Sequence, residues 1–400
     1  MDLNFDLLLR WRQPKKEHWA LLGQLKPDLI VLDEASAEFT AVAAQAGTKT
    51  VLRGELPGVI EDGLWPGIRR AASRRARQEE VASASAEPWV DANGYLVAFH
   101  RAIHPSRPAV LGYEANEKAG VKPDVEIPYG TTELALVEAR VGGGNFILDL
   151  PERYREKLLM ADPAAIASWK SLAATTKWLK ENSKLFGLPV LPQIKALVEP
   201  GGFTREIANL LHRRGASPSL CLANSLPASN AASLVWVAAG LKEVPAACIA
   251  ATELGALLVM DQVVPSTAKL TREESDRKFY SLGKGTVVSY NRRIVDPSEF
   301  ALDVIDLLSH KRRATRLWNA SSSIPLATKG PVAGEAVLTV INYGGGTREE
   351  VQAHIQGHFS RALLLCPEKP PVELRVAKRG SSSEVFIPAL QRVATVRFSN

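Results

Sequence analysis

Acidic residues stand directly after four short apolar segments in the first half of this 400-residue sequence. Glu114 follows one such segment and Asp149 follows the next. Two carboxyl groups that converge can divide acid–base work, because one can donate a proton while the other stays ionised as a nucleophile or base. We therefore predict that Glu114 and Asp149 are the catalytic pair. The alternative is structural, since acids at strand ends also cap helices or pair with arginines.

Three further acids, Asp33, Glu34 and Glu55, occupy equivalent positions after two earlier apolar segments. Such positions suit the binding of substrate hydroxyl groups. Arg53 can pair with Asp33 or Glu55, which would hold a carboxylate ionised. Substrate binding and plain capping or pairing both remain open for these residues.

A second candidate substrate-binding group mixes indole, acid, amide and phenol. It comprises Trp89, Asp91, Asn93 and Tyr95, and Tyr113 can line the same pocket. A stacking face combined with planar hydrogen-bonding groups favours a polar, ring-shaped ligand. The alternative is a helix entry in which Asp91 or Asn93 is the cap.

His100 and His104 have the spacing of two metal ligands on one helix face. Because no glutamate stands between them in the HExxH manner, we interpret them as a surface pair. We expect no metal site and no cofactor.

The elements that position these residues alternate strand and helix, which is typical of a parallel sheet with helical crossovers. The strand candidates are residues 3–9, 28–32, 48–52, 109–113 and 145–148. The helix candidates are residues 36–46, 94–104, 131–141 and a long region from 152 to 185.

The alternation restarts after the proline-punctuated segment 187–192. Strands are predicted at 194–198, 219–223, 256–260 and 285–290, with helices at 203–214, 230–239 and 297–310. After residue 313 the periodicity becomes two, which predicts a small antiparallel sandwich. Its strands are expected at 337–341, 361–365, 372–376, 384–387 and 393–398.

The order of these parts resembles that of multidomain TIM-barrel glycoside hydrolases. In the middle part, Gly283-Lys284-Gly285-Thr286-Val287-Val288, followed by Asp296-Pro297, is similar to the last strand and helix of their flavodoxin-like domain, which is related to the trimerisation domain of some β-galactosidases. In the last part, Asn342-Tyr343 and Val385-Phe386-Ile387 resemble strands of their C-terminal sandwich.

The resemblance implies three domains: a TIM-type (β/α) barrel over residues 1–187, a flavodoxin-like α/β domain over 188–313 and a β-sandwich over 314–400. A full barrel takes roughly 250 residues, so this barrel is short and its eightfold closure is an open question. The implied function is cleavage of a glycosidic bond in a small saccharide by two carboxylates. The alternative is a non-catalytic protein derived from such a hydrolase, which binds carbohydrate or serves as an assembly subunit.

Charge and composition limit the classes of binding partner that we expect for this protein. The formal net charge is +6, but the densest basic run, Arg69 to Arg77, is followed at once by glutamates and has no interleaved aromatics. We therefore expect no nucleic-acid partner. Three widely spaced cysteines argue against a disulfide or zinc framework. Neither a secretory leader nor a membrane span is recognisable, so a cytoplasmic protein is expected, with a possible homo-oligomer through the middle domain.

Overall fold

The computed structural model describes residues 7–68, 90–112, 127–201, 203–226, 234–261, 264–291, 294, 296–309 and 312–400. Within them the chain forms a parallel six-stranded sheet with helices, a mixed seven-stranded sheet with helices, and two antiparallel sheets packed face to face. The chain is therefore a mixed α/β protein with a β-sandwich at its C-terminal end. No helix in the described ranges combines the length and the apolar character that crossing a membrane requires.

In the described residues, the first part contains eight strands and six α-helices. The strands are β1 (Leu8–Arg10), β2 (Leu29–Leu32), β3 (Lys49–Leu52), β4 (Val59–Asp62), β5 (Gly67–Ile68), β6 (Val90–Asp91), β7 (Ala109–Gly112) and β8 (Asn145–Asp149). The helices are α1 (Trp19–Leu22), α2 (Ala37–Gln45), α3 (Gly94–Ile103), α4 (Gly130–Val141), α5 (Glu152–Leu159) and α6 (Pro163–Glu181).

Six of these strands form one sheet in the order β3-β2-β1-β8-β7-β4, with every pair parallel. Apart from the strands β5 and β6, which are not in this sheet, strands that follow one another in the chain are neighbours in it, except β3 and β4 at its two edges. This is the strand order of a barrel opened between β3 and β4. Between β3 and β4 the described residues form no hydrogen-bonded pair. β5 and β6 pair separately as a short antiparallel ribbon.

Side chains of the six strands alternate between two apolar surfaces. Leu8, Val31, Val110 and Ile147 form a small cluster on one face of the sheet. The intervening residues, such as Leu9, pack against the surrounding helices. Burial on both faces is typical of parallel sheets with helical crossovers.

The middle part consists of strands β9 (Ile194–Val198), β10 (Ser219–Leu222), β11 (Val235–Val237), β12 (Leu257–Met260), β13 (Lys269–Glu273), β14 (Arg277–Leu282) and β15 (Gly285–Tyr290), with helices α7 (Phe203–Arg213), α8 (Ala246–Glu253) and α9 (Pro297–Leu308). Its parallel strands follow the order β10-β9-β11-β12-β15. That is the 2-1-3-4-5 order of flavodoxin-like sheets. The antiparallel hairpin β13-β14 extends this sheet beyond β15.

The last part has strands β16 (Thr315–Trp318), β17 (Ser323–Lys329), β18 (Ala336–Asn342), β19 (Arg348–Gln356), β20 (Arg361–Leu365), β21 (Val372–Leu374), β22 (Ala377–Arg379), β23 (Ser382–Leu390) and β24 (Val393–Ser399). They form a four-stranded sheet, β16-β19-β23-β22, and a five-stranded sheet, β17-β18-β24-β20-β21. A buried apolar cluster fills the space between the two sheets.

Several sequence-based predictions of elements were wrong. Residues 230–239 were expected to be helical, but Val235–Val237 is the central strand β11, and 227–233 lie outside the described residues. The valines at both ends of β11 are β-branched, which favours a buried strand. The region from 152 to 185 is helical as predicted, but it is divided into two α-helices, because Asp162 caps a new helix that begins at Pro163. β4 was missed, since only four residues with two acids among them give little periodic signal.

Candidate active site

The carboxyl end of the six-stranded sheet holds a cluster of two arginines and two aspartates. Arg10 ends β1, Asp149 ends β8 and the two residues lie side by side in the strand register. Asp33 follows β2 directly, and Arg12 lies two residues beyond β1. In barrels of parallel strands this end is the reactive face. We call these four residues the edge cluster.

Arg10 bridges the two aspartates of the edge cluster. Its Nη1 donates to Oδ2 of Asp149 over 2.8 Å. Its Nε and Nη2 donate to the two carboxylate oxygens of Asp33, at 2.9 and 3.1 Å. A guanidinium can serve two carboxylates in this way because its donors form a rigid planar fork. The two acids that were predicted separately are thus brought together.

Asp149 is nearly buried, with 5% of its surface exposed. Arg12 Nη2 donates to the same oxygen that Arg10 binds, Oδ2, at 3.0 Å. No donor among the described residues reaches Oδ1 of Asp149. Burial raises the pKa of Asp149, and the ion pairs with Arg12 and Arg10 counteract this rise. One carboxylate oxygen is therefore anchored while the other keeps its hydrogen-bonding capacity.

The edge cluster is open to solvent on one side. The side chains of Arg12 and Asp33 are 40% and 36% exposed. Glu34 and Glu55 are also exposed, after β2 and in the short 3-10 helix Arg53–Glu55 that follows β3. Parallel strands place all these acids at the same edge of the sheet. An approaching polar ligand would meet them first.

Arg10 and Arg12 were not predicted from the sequence. A signal was present, because Arg10-Trp11-Arg12 stands at the end of the first strand, the position at which the acids of the other strands were selected. α5 supports this segment, since Arg155 Nη1 donates to the backbone oxygen of Arg12 at 2.8 Å. Tyr129 and Tyr154 stack nearby with ring centroids 4.3 Å apart.

Of the second predicted group, Asp91 and Asn93 lie in the part of the chain that the structure describes, and their surroundings differ. Asp91 is half-buried in the ribbon strand β6, opposite Gly67. Asn93 is 2% exposed, and its amide exchanges hydrogen bonds with the backbone of Leu64 at 2.7 and 2.9 Å. It also donates to Glu138 at 2.6 Å. These bonds hold Asn93 inside the protein, which does not favour contact with a substrate.

Glu114, Trp89 and Tyr113 lie outside the described residues. Glu114 is two positions beyond Gly112, the last residue of β7, which is the neighbour of β8 in the sheet. The predicted pairing of Glu114 with Asp149 stays a prediction.

The interpretation of His100 as a surface residue was wrong. His100 is 8% exposed, and its Nε2 contacts the carboxylate of Glu61 on β4, which also binds Arg205 of α7. Burial acts to raise the pKa of Glu61, but the hydrogen bonds and charges of His100 and Arg205 outweigh it and lower that pKa. Glu61 and His100 of the first part and Arg205 of the middle part therefore link these two parts of the chain. Among the described residues, no set of three histidines, cysteines or acids is arranged to hold a metal.

A small cavity of about 70 Å³ lies where the three parts meet. Its walls include Glu138 of α4, His212 of α7 and Tyr343, which follows β18. Glu138 is 1% exposed and accepts hydrogen bonds from the backbone of Asn93 at 2.8 Å and from Tyr343 Oη at 3.0 Å. Burial lowers the pKa of His212 to about 4. We call this space, with Glu138, His212 and Tyr343, the junction cavity.

The sequence matches no protein-family model and no curated protein. Solved structures do match. The α-L-fucosidase isoenzyme 2 from Paenibacillus thiaminolyticus superposes with a TM-score of 0.51 at 9% identity, over 98% of this chain and 99% of that chain. The chain resembles multidomain TIM-barrel glycoside hydrolases.

Two further matches are more distant. The GH42 β-galactosidase Gan42B from G. stearothermophilus gives a TM-score of 0.49 at 11% identity, over 95% of this chain and 61% of that chain. A rhamnosidase from Novosphingobium sp. PP1Y gives 0.48 at 11% identity, over 92% and 38%. At such identities the likeness concerns the fold alone.

Proposed function

We propose that this chain is a glycoside hydrolase that cleaves a glycosidic bond in a small saccharide at the carboxyl end of its six-stranded sheet. The observation that carries the proposal is the geometry of Asp149. This buried carboxylate has Oδ2 anchored by Arg10 and Arg12, while no described donor reaches Oδ1. A carboxylate held in this way is oriented, and one oxygen stays free to attack a carbon or to accept a proton.

In this proposal Asp149 is the ionised partner: burial raises its pKa, and the charges of Arg12 and Arg10 counteract that rise. Glu114 is the proton donor to the leaving group. Glycoside hydrolysis needs both roles, and the distance between the carboxyls sets the stereochemical outcome. Asp33, Glu34 and Glu55 at the same edge are the substrate-binding groups, and the chemistry requires no cofactor.

The proposal includes the division into domains 1–187, 188–313 and 314–400. The first domain carries the chemistry. Likeness to the fucosidase along nearly the whole length of both chains supports a shared arrangement of parts.

The test is hydrolysis of a panel of aryl glycosides that includes the α-L-fucoside. We expect turnover of at least one glycoside, with kcat lowered about 10²- to 10⁴-fold by Asp149→Asn and by Glu114→Gln. Glu156→Gln, an exposed acid on α5, is the matched control and should leave kcat unchanged. Turnover that survives Asp149→Asn would refute the assignment.

A second candidate function is a non-catalytic relative that binds carbohydrate or assembles as an oligomer. Two observations favour it: both aspartates of the edge cluster already sit in ion pairs, and β3 and β4 form no hydrogen-bonded pair among the described residues. Calorimetric binding of a glycoside without its turnover would support this candidate. Sedimentation would show whether the middle part mediates a homo-oligomer.

A further inference from the structure

The two sheets of the sandwich are buried differently. Ile324, Ile341 and Val393 of the five-stranded sheet belong to the apolar core of the first part. That sheet is thus covered on both faces, and all seven residues of its strand β18 are buried. In the four-stranded sheet, by contrast, buried and accessible residues alternate along β23. The outer face of this sheet carries Phe386, which is 56% exposed.

The strand register places two rows of side chains on this outer face. In the first row, Trp318 of β16 is opposite Gln352 of β19, which is opposite Phe386 of β23. Two strand spacings separate the two aromatic residues, roughly 10 Å. An amide therefore lies between an indole and a phenyl ring.

The second row lies two residues further along the strands. Arg316 is opposite His354, which is opposite Glu384. The Arg316 guanidinium lies 4.7 Å from the centre of the Trp318 ring. His354 stacks at 14° to the same indole with centroids 6.3 Å apart. These contacts orient the indole before any ligand arrives.

The polar side chains on the outer face of the four-stranded sheet are linked by hydrogen bonds and can form further ones. Gln352 Nε2 and Arg379 Nε both donate to Oε2 of Glu384, at 3.4 and 3.2 Å. His354 is 9% exposed, and within the described chain its buried Nε2 has no hydrogen-bond partner. The polar groups of these rows that a ligand can reach are therefore the half-buried Arg316, Gln352 and Glu384.

We propose that the outer face of the four-stranded sheet binds an oligosaccharide chain, with Trp318 and Phe386 as stacking platforms. The residues fit this ligand class because a sugar ring offers an apolar face and a rim of hydroxyls. Aromatic rings bury the apolar face. The amide of Gln352 and the carboxylate of Glu384 pair with hydroxyls as donor and acceptor.

This site is distinct from the edge cluster and needs no hydrolysis. It extends the proposed function and rests on it in one respect, which is that both sites bind saccharides. A second copy of the chain is the competing occupant, because an exposed phenylalanine also occurs at protein interfaces.

The test is affinity electrophoresis of the full chain through separate gels that contain xyloglucan, galactomannan, arabinogalactan or mixed-linkage β-glucan. We expect at least one polysaccharide to retard the wild type. Phe386→Ala and Trp318→Ala should each raise the dissociation constant roughly tenfold, the loss that a missing stacking contact of about 1.4 kcal/mol gives. Val372→Ala, which trims an exposed side chain on the five-stranded sheet, is the matched control.

Two further variants separate the outcomes. Asp149→Asn should keep full retardation, so loss of turnover and loss of retardation are independent results. Phe386→Ala should keep its turnover of small aryl glycosides. The proposal is overturned if no polysaccharide retards the wild type, or if both aromatic variants are retarded as strongly as the control. Sedimentation showing self-association that Phe386→Ala abolishes would also overturn it, in favour of a second copy.

Discussion

The edge cluster and the junction cavity are both rich in ionisable groups, yet they differ in access and in pairing. At the edge, Asp149 is paired with guanidinium groups, and one of its oxygens accepts no hydrogen bond from the described residues. At the junction, Glu138 is enclosed by three parts of the chain and bonded to neutral donors, Asn93 and Tyr343. The comparison teaches that burial of an acid does not by itself indicate chemistry. A reactive carboxylate also needs an oxygen that no protein donor occupies, and a path by which the ligand can reach it.

The largest expected effect on stability belongs to the junction. Glu138→Ala removes the buried carboxylate that accepts hydrogen bonds from the backbone of Asn93 and from Tyr343 Oη. We expect the free energy of unfolding to fall by about 3 kcal/mol, measured by urea denaturation. Glu156→Ala, an exposed glutamate on α5, should change it by less than about 0.5 kcal/mol. Equal losses in the two variants would show that the junction is not a structural centre.

The pH dependence of stability should also come from the junction. The pKa of His212 is about 4 in the folded chain, below the ordinary value near 6.5. As the pH falls below about 6.5, the unfolded chain takes up a proton that the folded chain does not bind until near pH 4. Stability is therefore lost on acidification through this window, by about 2 kcal/mol at pH 5.

The measurement is urea denaturation at pH 7 and at pH 5. His212→Gln should lose less stability than the wild type between these two values, whereas His358→Gln, at an exposed position, should behave as the wild type. If both variants show the wild-type pH dependence, His212 is not its cause. The junction cavity and the edge cluster would then not differ in their contribution to the pH dependence of stability.

The smallest expected effect is at the edge cluster. In Arg10→Lys a single ammonium replaces the planar fork and cannot hold Asp33 and Asp149 in the same geometry. We expect a loss of about 1 kcal/mol in the free energy of unfolding, because Arg12 still binds Asp149. Expressed as a free energy, the loss of turnover should exceed the loss of stability, since the anchoring of Asp149 is weakened.

The control for this prediction is Arg361→Lys, which alters an ion pair with Glu373 whose side chains are 68% and 61% exposed. Exposed pairs contribute little, so the change should be near zero. A stability loss above that of Glu138→Ala, without an effect on turnover, would make the edge cluster a structural centre as well.

Local pattern was sufficient for many elements. The predicted strands at 194–198, 285–290 and 361–365 have the observed bounds, because apolar alternation and turn residues act over a few positions. β11 was not recognised, since a short strand in the middle of a sheet is specified by its neighbours rather than by its own periodicity. β4, at the edge of the six-stranded sheet, was missed because four residues with two acids among them give little periodic signal.

For the candidate site, the sequence correctly placed Asp33 and Asp149 at strand ends, which follows from the position of acids after apolar runs. It could not show that Arg10 joins them, because that contact spans 139 residues between Arg10 and Asp149. Nor could it separate Asn93 from the exposed acids. An asparagine before a helix has the same local signature whether it faces solvent or a buried glutamate 45 residues away.

The sequence by itself determined the succession of parts and the positions of acids at strand ends, because these depend on local periodicity and turn chemistry. Only the tertiary structure decided which acid is anchored by arginines, which is enclosed at the junction and which sheet face of the sandwich stays accessible. Those outcomes depend on strand register and on packing between distant segments, and no short stretch of the chain encodes either.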